Sequence, residues 1–353
     1  SLAGCDCNVV LRRCNHSICL IFYIWLVGGE TVIEIEQVSF TYETAKSGAT
    51  IRNINVRIPK GQIVLLCGES GSGKTTFSRL INGLIPAYYD GDLNGRIMVS
   101  QKDTSKVELH ELAPFVGSVF QNPKSQFYTL LTDTEIVFAC ENIGMEKPDI
   151  LCRFNSTVNS LHIEKLLGKS LFALSGGEKQ KIACASVNAL MPDVFVLDEP
   201  TSNLDIGTIR DLQEILLSWK AQGKTVIIAE HRLAWLRNIV DRILFFQDGK
   251  IAEDMEASAF WKKQPAELHK MGLRAAYNFI PQCRKSISTR ETLEFRDFHF
   301  SIKGTELLNI DHLNIPKGTC VAILGDNGAG KTTFARCICG LEKKSKGTLN
   351  YNG

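Results

Sequence analysis

One long segment of this chain is written twice. "IPKGQIVLLCGESGSGKTTFSRLINGL", Ile58 to Leu84, returns as "IPKGTCVAILGDNGAGKTTFARCICGL", Ile315 to Leu341, at a constant offset of 257 (315 − 58). A period that long indicates two homologous domains rather than a solenoid. "GRIMVSQ" from Gly95 then matches "GTLNYNG" from Gly347 at an offset of 252 (347 − 95), so the first copy carries five extra residues (257 − 252). Only 22 residues follow Lys331 (353 − 331), and by analogy with the first copy about 180 more would be needed. The expected layout is a first domain over 32–273, a linker over 274–291 and an incomplete second domain over 292–353.

Both copies satisfy G-x-x-x-x-G-K-[ST] after an apolar run and before a helical pattern. Glycines there let backbone N–H groups turn toward phosphates, and the helix N-terminus adds positive potential. In the first copy Gly68, Ser70, Gly71, Ser72, Gly73, Lys74, Thr75 and Thr76 form the cradle. In the second, Gly325, Asn327, Gly328, Ala329, Gly330, Lys331, Thr332 and Thr333 do. The chemistry expected is ATP bound with Mg²⁺, Lys74 on the β- and γ-phosphates and the hydroxyls of Thr75 and Thr332 on the metal. "VFVLDEP" (194–200) supplies a buried strand that presents Asp198 to the Mg²⁺ shell and Glu199 to an attacking water.

Strands and helices alternate through the first copy. Ile33 and Ile35, then Val38, Phe40 and Tyr42, show period-2 patterning, while "IVLLC" (63–67), "VFVLD" (194–198), "TVIIAE" (225–230) and "RILFF" (242–246) are continuous apolar runs. Runs of that kind suit central parallel strands buried on both faces. Helical stretches follow Gly73, Gly177 and Asp205, and 128–173 reads as a separate, mostly helical insertion.

Composition is globular: 44% hydrophobic, 22% charged, net charge +2 from 40 Lys+Arg against 38 Asp+Glu. That balance gives no electrostatic case for a nucleic-acid partner. Of twelve cysteines, several sit inside apolar runs, as Cys67 does, which suits a reducing compartment better than a disulfide framework. Four more crowd into "SLAGCDCNVVLRRCNHSIC", ahead of the ten-residue run Ile18 to Val27. A genuine extension, a signal peptide and a zinc site are all readings of this stretch. Residues 1–31 read best as translated upstream DNA, since Gly28-Gly29-Glu30 is encodable by a ribosome-binding sequence and Val32 by a GTG start.

"LSGGEKQK" (Leu174 to Lys181) adds a second anion cradle at a helix start. With the phosphate-binding loop, the Asp-Glu strand and "SNLD" (Ser202, Asn203, Leu204, Asp205), it closely resembles the signature of ABC-type ATPases. The resemblance implies an α/β P-loop NTPase fold with a mainly parallel core sheet, an antiparallel N-terminal β-subdomain and an inserted helical subdomain. It also implies a head-to-tail pair in which the signature of one domain (Leu174, Ser175, Gly176, Gly177, Glu178) closes over ATP held by the other. Gln121 then falls in the Q-loop on Mg²⁺ and the attacking water, His231 in "AEHR" becomes the switch histidine, and Tyr42 stacks on adenine.

"VFQNPKSQFYTLLTDTEIVFACENIGM" (119–145) looks like the corresponding region of energy-coupling-factor (ECF) importers, with Gln121, Pro123, Gln126, Glu135, Phe138, Glu141, Asn142 and Gly144 in matching places. That likeness implies a protein peripheral to the cytoplasmic membrane face, working with a membrane scaffold (T) subunit and a substrate-binding (S) subunit. The second nucleotide-binding domain would come in cis or from a homodimer. Glu135 is the expected partner of a scaffold arginine, or else faces solvent. Lys124, Ile302 (where an aromatic is usual) and Gln180-Lys181 depart from the pattern. A soluble twin-ATPase of the translation-factor type, an ATPase of another ABC transporter class and a binding-only subunit are the competing classes. The expected behaviour is ATP binding with slow turnover unless two copies pair through their first domains.

Overall fold

The computed structural model describes residues 30–44, 50–202, 204–273, 292–302, 304–325, 328–342 and 345–351. Residues 1–29 of the expected 1–31 extension, the linker and the candidate site residues Asn203 and Asn327 lie outside the described residues, while Thr31 is already part of the first strand. The chain divides into two compact units, Ser1–Asn203 with Ile209–Tyr277, and Leu204–Thr208 with Asn278–Gly353.

The first unit begins with β1 (Thr31–Tyr42), β2 (Ile51–Pro59) and β3 (Ile63–Gly68), followed by α1 (Lys74–Ile81), β4 (Gly91–Val99), β5 (Lys102–Asp103) and β6 (Val116–Val119). Helices α2 (Thr132–Asn142), α3 (Lys147–Leu161) and α4 (Gly176–Asn188) come next. They precede β7 (Val194–Asp198), α5 (Ile206–Ala221), β8 (Thr225–Ala229), β9 (Arg242–Gln247), β10 (Lys250–Glu256) and α6 (Pro265–Lys270). An antiparallel sheet has the order β2-β1-β4-β5, and a six-stranded sheet the order β10-β9-β3-β8-β7-β6. Strands β6, β7, β8, β3 and β9 run parallel, with β10 antiparallel on the edge.

The phase slip between Ile35 and Val38 has a structural cause. β1 bulges there, Gln37 takes a left-handed φ of 51°, and its N–H donates to Asn55 Oδ1 at 2.9 Å. One extra residue keeps Ile33, Ile35, Val38 and Phe40 all on the buried face. The continuous apolar runs are central strands, as expected: Ile63, Val64, Leu65, Leu66 and Cys67 are all fully buried. Phe195 of β7 stacks on Trp219 of α5, and the indole Nε1 donates to Asn188 Oδ1 of α4 at 2.7 Å. One aromatic stack and one hydrogen bond thereby lock the layer over β7.

The second unit holds β11 (Thr292–Ile302), β12 (Thr305–Pro316), α7 (Lys331–Ile338) and β13 (Lys346–Tyr351), with strand order β12-β11-β13. Phe295, Phe298, Phe300, Leu308, Phe334 and Cys337 form its core. The sheet repeats β2-β1-β4 of the first unit, as the sequence repeat requires. The counterpart of β3 does not follow: residues 321–325 form no strand, and Val321, Ile323 and Leu324 are 52%, 43% and 87% exposed. In the first unit β3 is bonded on both sides, by β8 and β9. No counterparts of those two strands occur among the described residues of the second.

Candidate functional site

Four parallel strands, β3, β6, β7 and β8, end on the same edge of the sheet, the position where open α/β sheets bind ligands. After β3 the chain turns sharply into α1. Gly68 has φ +145°, and a Cβ there would lie 2.2 Å from the Phe246 carbonyl oxygen, so no other residue fits. Gly73 ends the turn in a left-handed conformation and starts α1. Lys74 is 5% exposed, and its Nζ donates to the carbonyls of Gly68 at 2.9 Å and Glu69 at 2.8 Å. Burial lowers its pKa, with the charges of Cys67, Glu199 and Asp198 acting against that shift.

At the end of β7, Asp198 Oδ1 accepts the Thr75 hydroxyl at 3.3 Å. Burial raises the Asp198 pKa; the Thr75 bond and the positive charges of Arg79 and Lys74 oppose this, while Glu199 adds to it. A half-buried carboxylate whose pKa burial still raises is suited to receiving a cation. The Thr75 hydroxyl and Asp198 carboxylate are hard oxygen donors of the kind that bind Mg²⁺ together with phosphates and water.

Glu199 sits in a strained left-handed conformation, φ 43°, with its N–H bonded to the Ala229 carbonyl at 2.8 Å. That backbone turns its side chain between two others. Gln121 Nε2 donates to Glu199 Oε2 at 2.9 Å, and His231 Nε2 lies 3.1 Å from Glu199 Oε1. Gln121 follows β6 and His231 follows β8, so residues 121, 199 and 231 converge from three strand ends. A partly exposed carboxylate flanked by an amide and an imidazole can polarise a water and take its proton.

The signature segment starts α4. Ser175 Oγ accepts the Glu178 N–H at 3.3 Å, and Glu178 Oε2 accepts the Ser175 N–H at 2.8 Å, a reciprocal capping box. Lys179 is buried and its Nζ donates to the Leu174 carbonyl. Nothing lies within 4 Å of a Cβ built on Gly176, so this helix start is open to an approaching group. Asp205 caps α5 by accepting the Thr208 N–H at 2.9 Å. Tyr42 lies beside α1, where its hydroxyl meets Thr76 Oγ1 at 3.2 Å and receives Arg79 Nη1 at 3.0 Å. In the second unit Lys331 Nζ donates to the Gly325 carbonyl at 2.7 Å, the arrangement of Lys74 repeated.

Glu135 requires a correction. It is 2% exposed, and its Oε2 accepts the N–H groups of Tyr128 and Thr129 at 3.1 and 2.8 Å and the Thr129 hydroxyl at 2.9 Å. It neither faces solvent nor stands free for an external arginine; it folds the loop before α2 onto the first turn of that helix. Two further residues escaped the sequence reading, Glu230 and Thr201, both buried and hydrogen-bonded to each other beside His231. A carboxylate ending a fully apolar strand was the available signal, since it needs an internal partner.

A phosphate-binding loop, an Asp-Glu strand end and a histidine after the neighbouring strand, all on one parallel sheet, define a P-loop ATPase of the ATP-binding-cassette class. Residues 51–202 and 308–353 match the family model described as ABC transporter, so both copies of the repeat are matched. A Treponema denticola protein provisionally named an ABC transporter ATP-binding protein is 42% identical over 331 residues, covering 91% of this chain and 67% of its own length. A Methanosarcina mazei protein with the same provisional name is 30% identical, covering 92% and 63%. The chain thus spans about two thirds of the length of these relatives, and it belongs to the ABC transporter family. Two solved structures share the fold. One is CbiO1 of Clostridium perfringens, described as part of the ABC transporter complex CbiONQ (TM-score 0.59, 24% identity, 68% of this chain and 95% of that one). The other is a dimeric ATP-binding cassette bound to ADP and phosphate (TM-score 0.55, 23% identity, 64% and 98%).

Proposed function

We propose that this chain is an ATP-hydrolysing subunit of an ECF-type importer, peripheral to the cytoplasmic membrane face. The observation that carries the ATPase role is the convergence of Gln121, Glu199 and His231 beside the Lys74 loop. Lys74 would leave the Gly68 and Glu69 carbonyls for the β- and γ-phosphates, and Tyr42 would stack on adenine. Thr75, Asp198 and Gln121 would hold Mg²⁺, which would supply positive charge against the phosphate charge that develops in the transition state. Glu199 orients a water toward the γ-phosphate and takes its proton as ADP and phosphate form. His231 supports the γ-phosphate side of that arrangement. Gly325, Gly328, Ala329, Gly330, Lys331, Thr332 and Thr333 would build the second cradle in a domain beginning near residue 292. Signature residues Leu174 to Glu178 and the segment from Ser202 to Asp205 would close over nucleotide held by the opposing domain.

The importer reading is supported by the surface beside α2. Tyr128, Leu130 and Phe172 are 78%, 65% and 80% exposed, and the Leu171 N–H donates to the Leu130 carbonyl, bringing the two loops together. Exposed apolar clusters of this kind mark partner surfaces. No helix among the described residues is long and apolar enough to cross a membrane. The partner proposed for this surface is a membrane-embedded scaffold subunit. The ECF-like run over 119–145 and the CbiO1 likeness favour that type. Replacing Leu130 and Phe172 with glutamate should abolish co-purification with the scaffold subunit while leaving basal ATPase activity intact. Retained co-purification would refute this docking surface.

A further inference from the structure

We infer that Glu230 is a positioning residue that sets His231 against Glu199, through a bracket it forms with Thr201. This rests on the assignment of His231 to the ATP site. Glu230 is 2% exposed at the end of β8, in which Thr225, Val226, Ile227, Ile228 and Ala229 are all fully buried. A carboxylate in such a place is costly unless its oxygens are occupied. Both are. Oε1 accepts the His231 N–H at 2.7 Å and the Arg232 N–H at 3.0 Å, and Oε2 accepts the hydroxyl of Thr201, which is fully buried. Arg232 Nη1 closes the ring by donating to the Thr201 carbonyl at 3.2 Å.

Geometry makes this more than local support. Thr201 lies two positions after Glu199 (201 − 199), and Glu230 lies one before His231. The Glu199 N–H bonds the Ala229 carbonyl at 2.8 Å, and the Glu230 N–H bonds the Leu66 carbonyl of β3 at 3.2 Å. The loops after β7 and β8 are therefore tied by a backbone bond at their base and by the Glu230 carboxylate further out. Beyond that second tie stands the 3.1 Å contact between His231 Nε2 and Glu199 Oε1. Releasing the outer tie frees His231 to drift without touching the phosphate cradle.

Steady-state ATP turnover and binding of a non-hydrolysable ATP analogue, measured on the assembled protein with both nucleotide-binding domains, test this. Glu230→Ala should lower kcat about 10- to 100-fold, the scale of a 1 Å misplacement, with analogue affinity unchanged. Glu230→Gln should restore most of the loss, because its carbonyl can still accept from both amides while its NH₂ donates to the Thr201 oxygen. Thr201→Val, which deletes only the hydroxyl at constant volume, should lower kcat in the same sense by less. Wild-type kcat in folded Glu230→Ala or Thr201→Val overturns the proposal. So does a parallel loss of affinity, melting temperature and kcat that glutamine does not rescue, which is the signature of a purely structural role. His231→Ala is the control: a wild-type rate there would refute the assignment of His231 itself rather than the bracket.

Discussion

Glu199 is held where it is by its own strained backbone and by two side chains from neighbouring strands. Its replacement by glutamine keeps that shape and removes the proton acceptor. Glu199→Gln should bind ATP normally yet turn it over at least about 100-fold more slowly, measured by phosphate release. Gly68→Ala makes the opposite split. The clash with the Phe246 carbonyl forces the loop open, so nucleotide binding itself should fail in an equilibrium titration. Residues of both kinds were legible in the sequence because each has a fixed place in a local string, glycine in the turn and acid at the strand end. Glu135 and Glu230 were not. Their partners Tyr128, Thr129 and Thr201 are chosen by loop closure and strand packing, and a lone carboxylate in a sequence looks the same whether solvated or buried.

Among elements, the loop before α2 depends on the buried Glu135 carboxylate. Glu135→Ala leaves the Tyr128 and Thr129 amides without their acceptor and removes the carboxylate that anchors this loop to α2. A drop in the thermal midpoint of the first unit by calorimetry is the expected outcome, while a Glu135 that paired externally would leave it unchanged. β3 and α4 each bury a cysteine whose thiol burial pushes up to about 12 from an ordinary 9.0. The folded state keeps both protons where the unfolded chain loses them, so stability is full below about pH 9 and falls as pH rises toward 12. Urea titrations of Cys184→Ala should show a shallower decline over that window. The parallel strands were legible as continuous apolar runs, and the bulge in β1 as a phase slip. The missing strand at 321–325 was not, because an apolar run becomes a central strand only when neighbours bond it on both sides.

At the scale of the molecule, the repeat in the sequence became two units with the same β-sheet start, each followed by a glycine-rich turn and a helix carrying its lysine. Lys74, Glu199 and His231 all lie in the first unit. Under the proposed function, the signature cover of the Lys74 site comes from a second domain. Pairing of first units should therefore govern hydrolysis in this chain. The decisive measurement is ATP turnover per chain across a concentration series, with mass followed by light scattering in the same samples. Turnover should be slow while the chain is monomeric and rise in step with the paired fraction. A rapid rate, constant per chain in a strictly monomeric sample and abolished by Glu199→Gln, would contradict it.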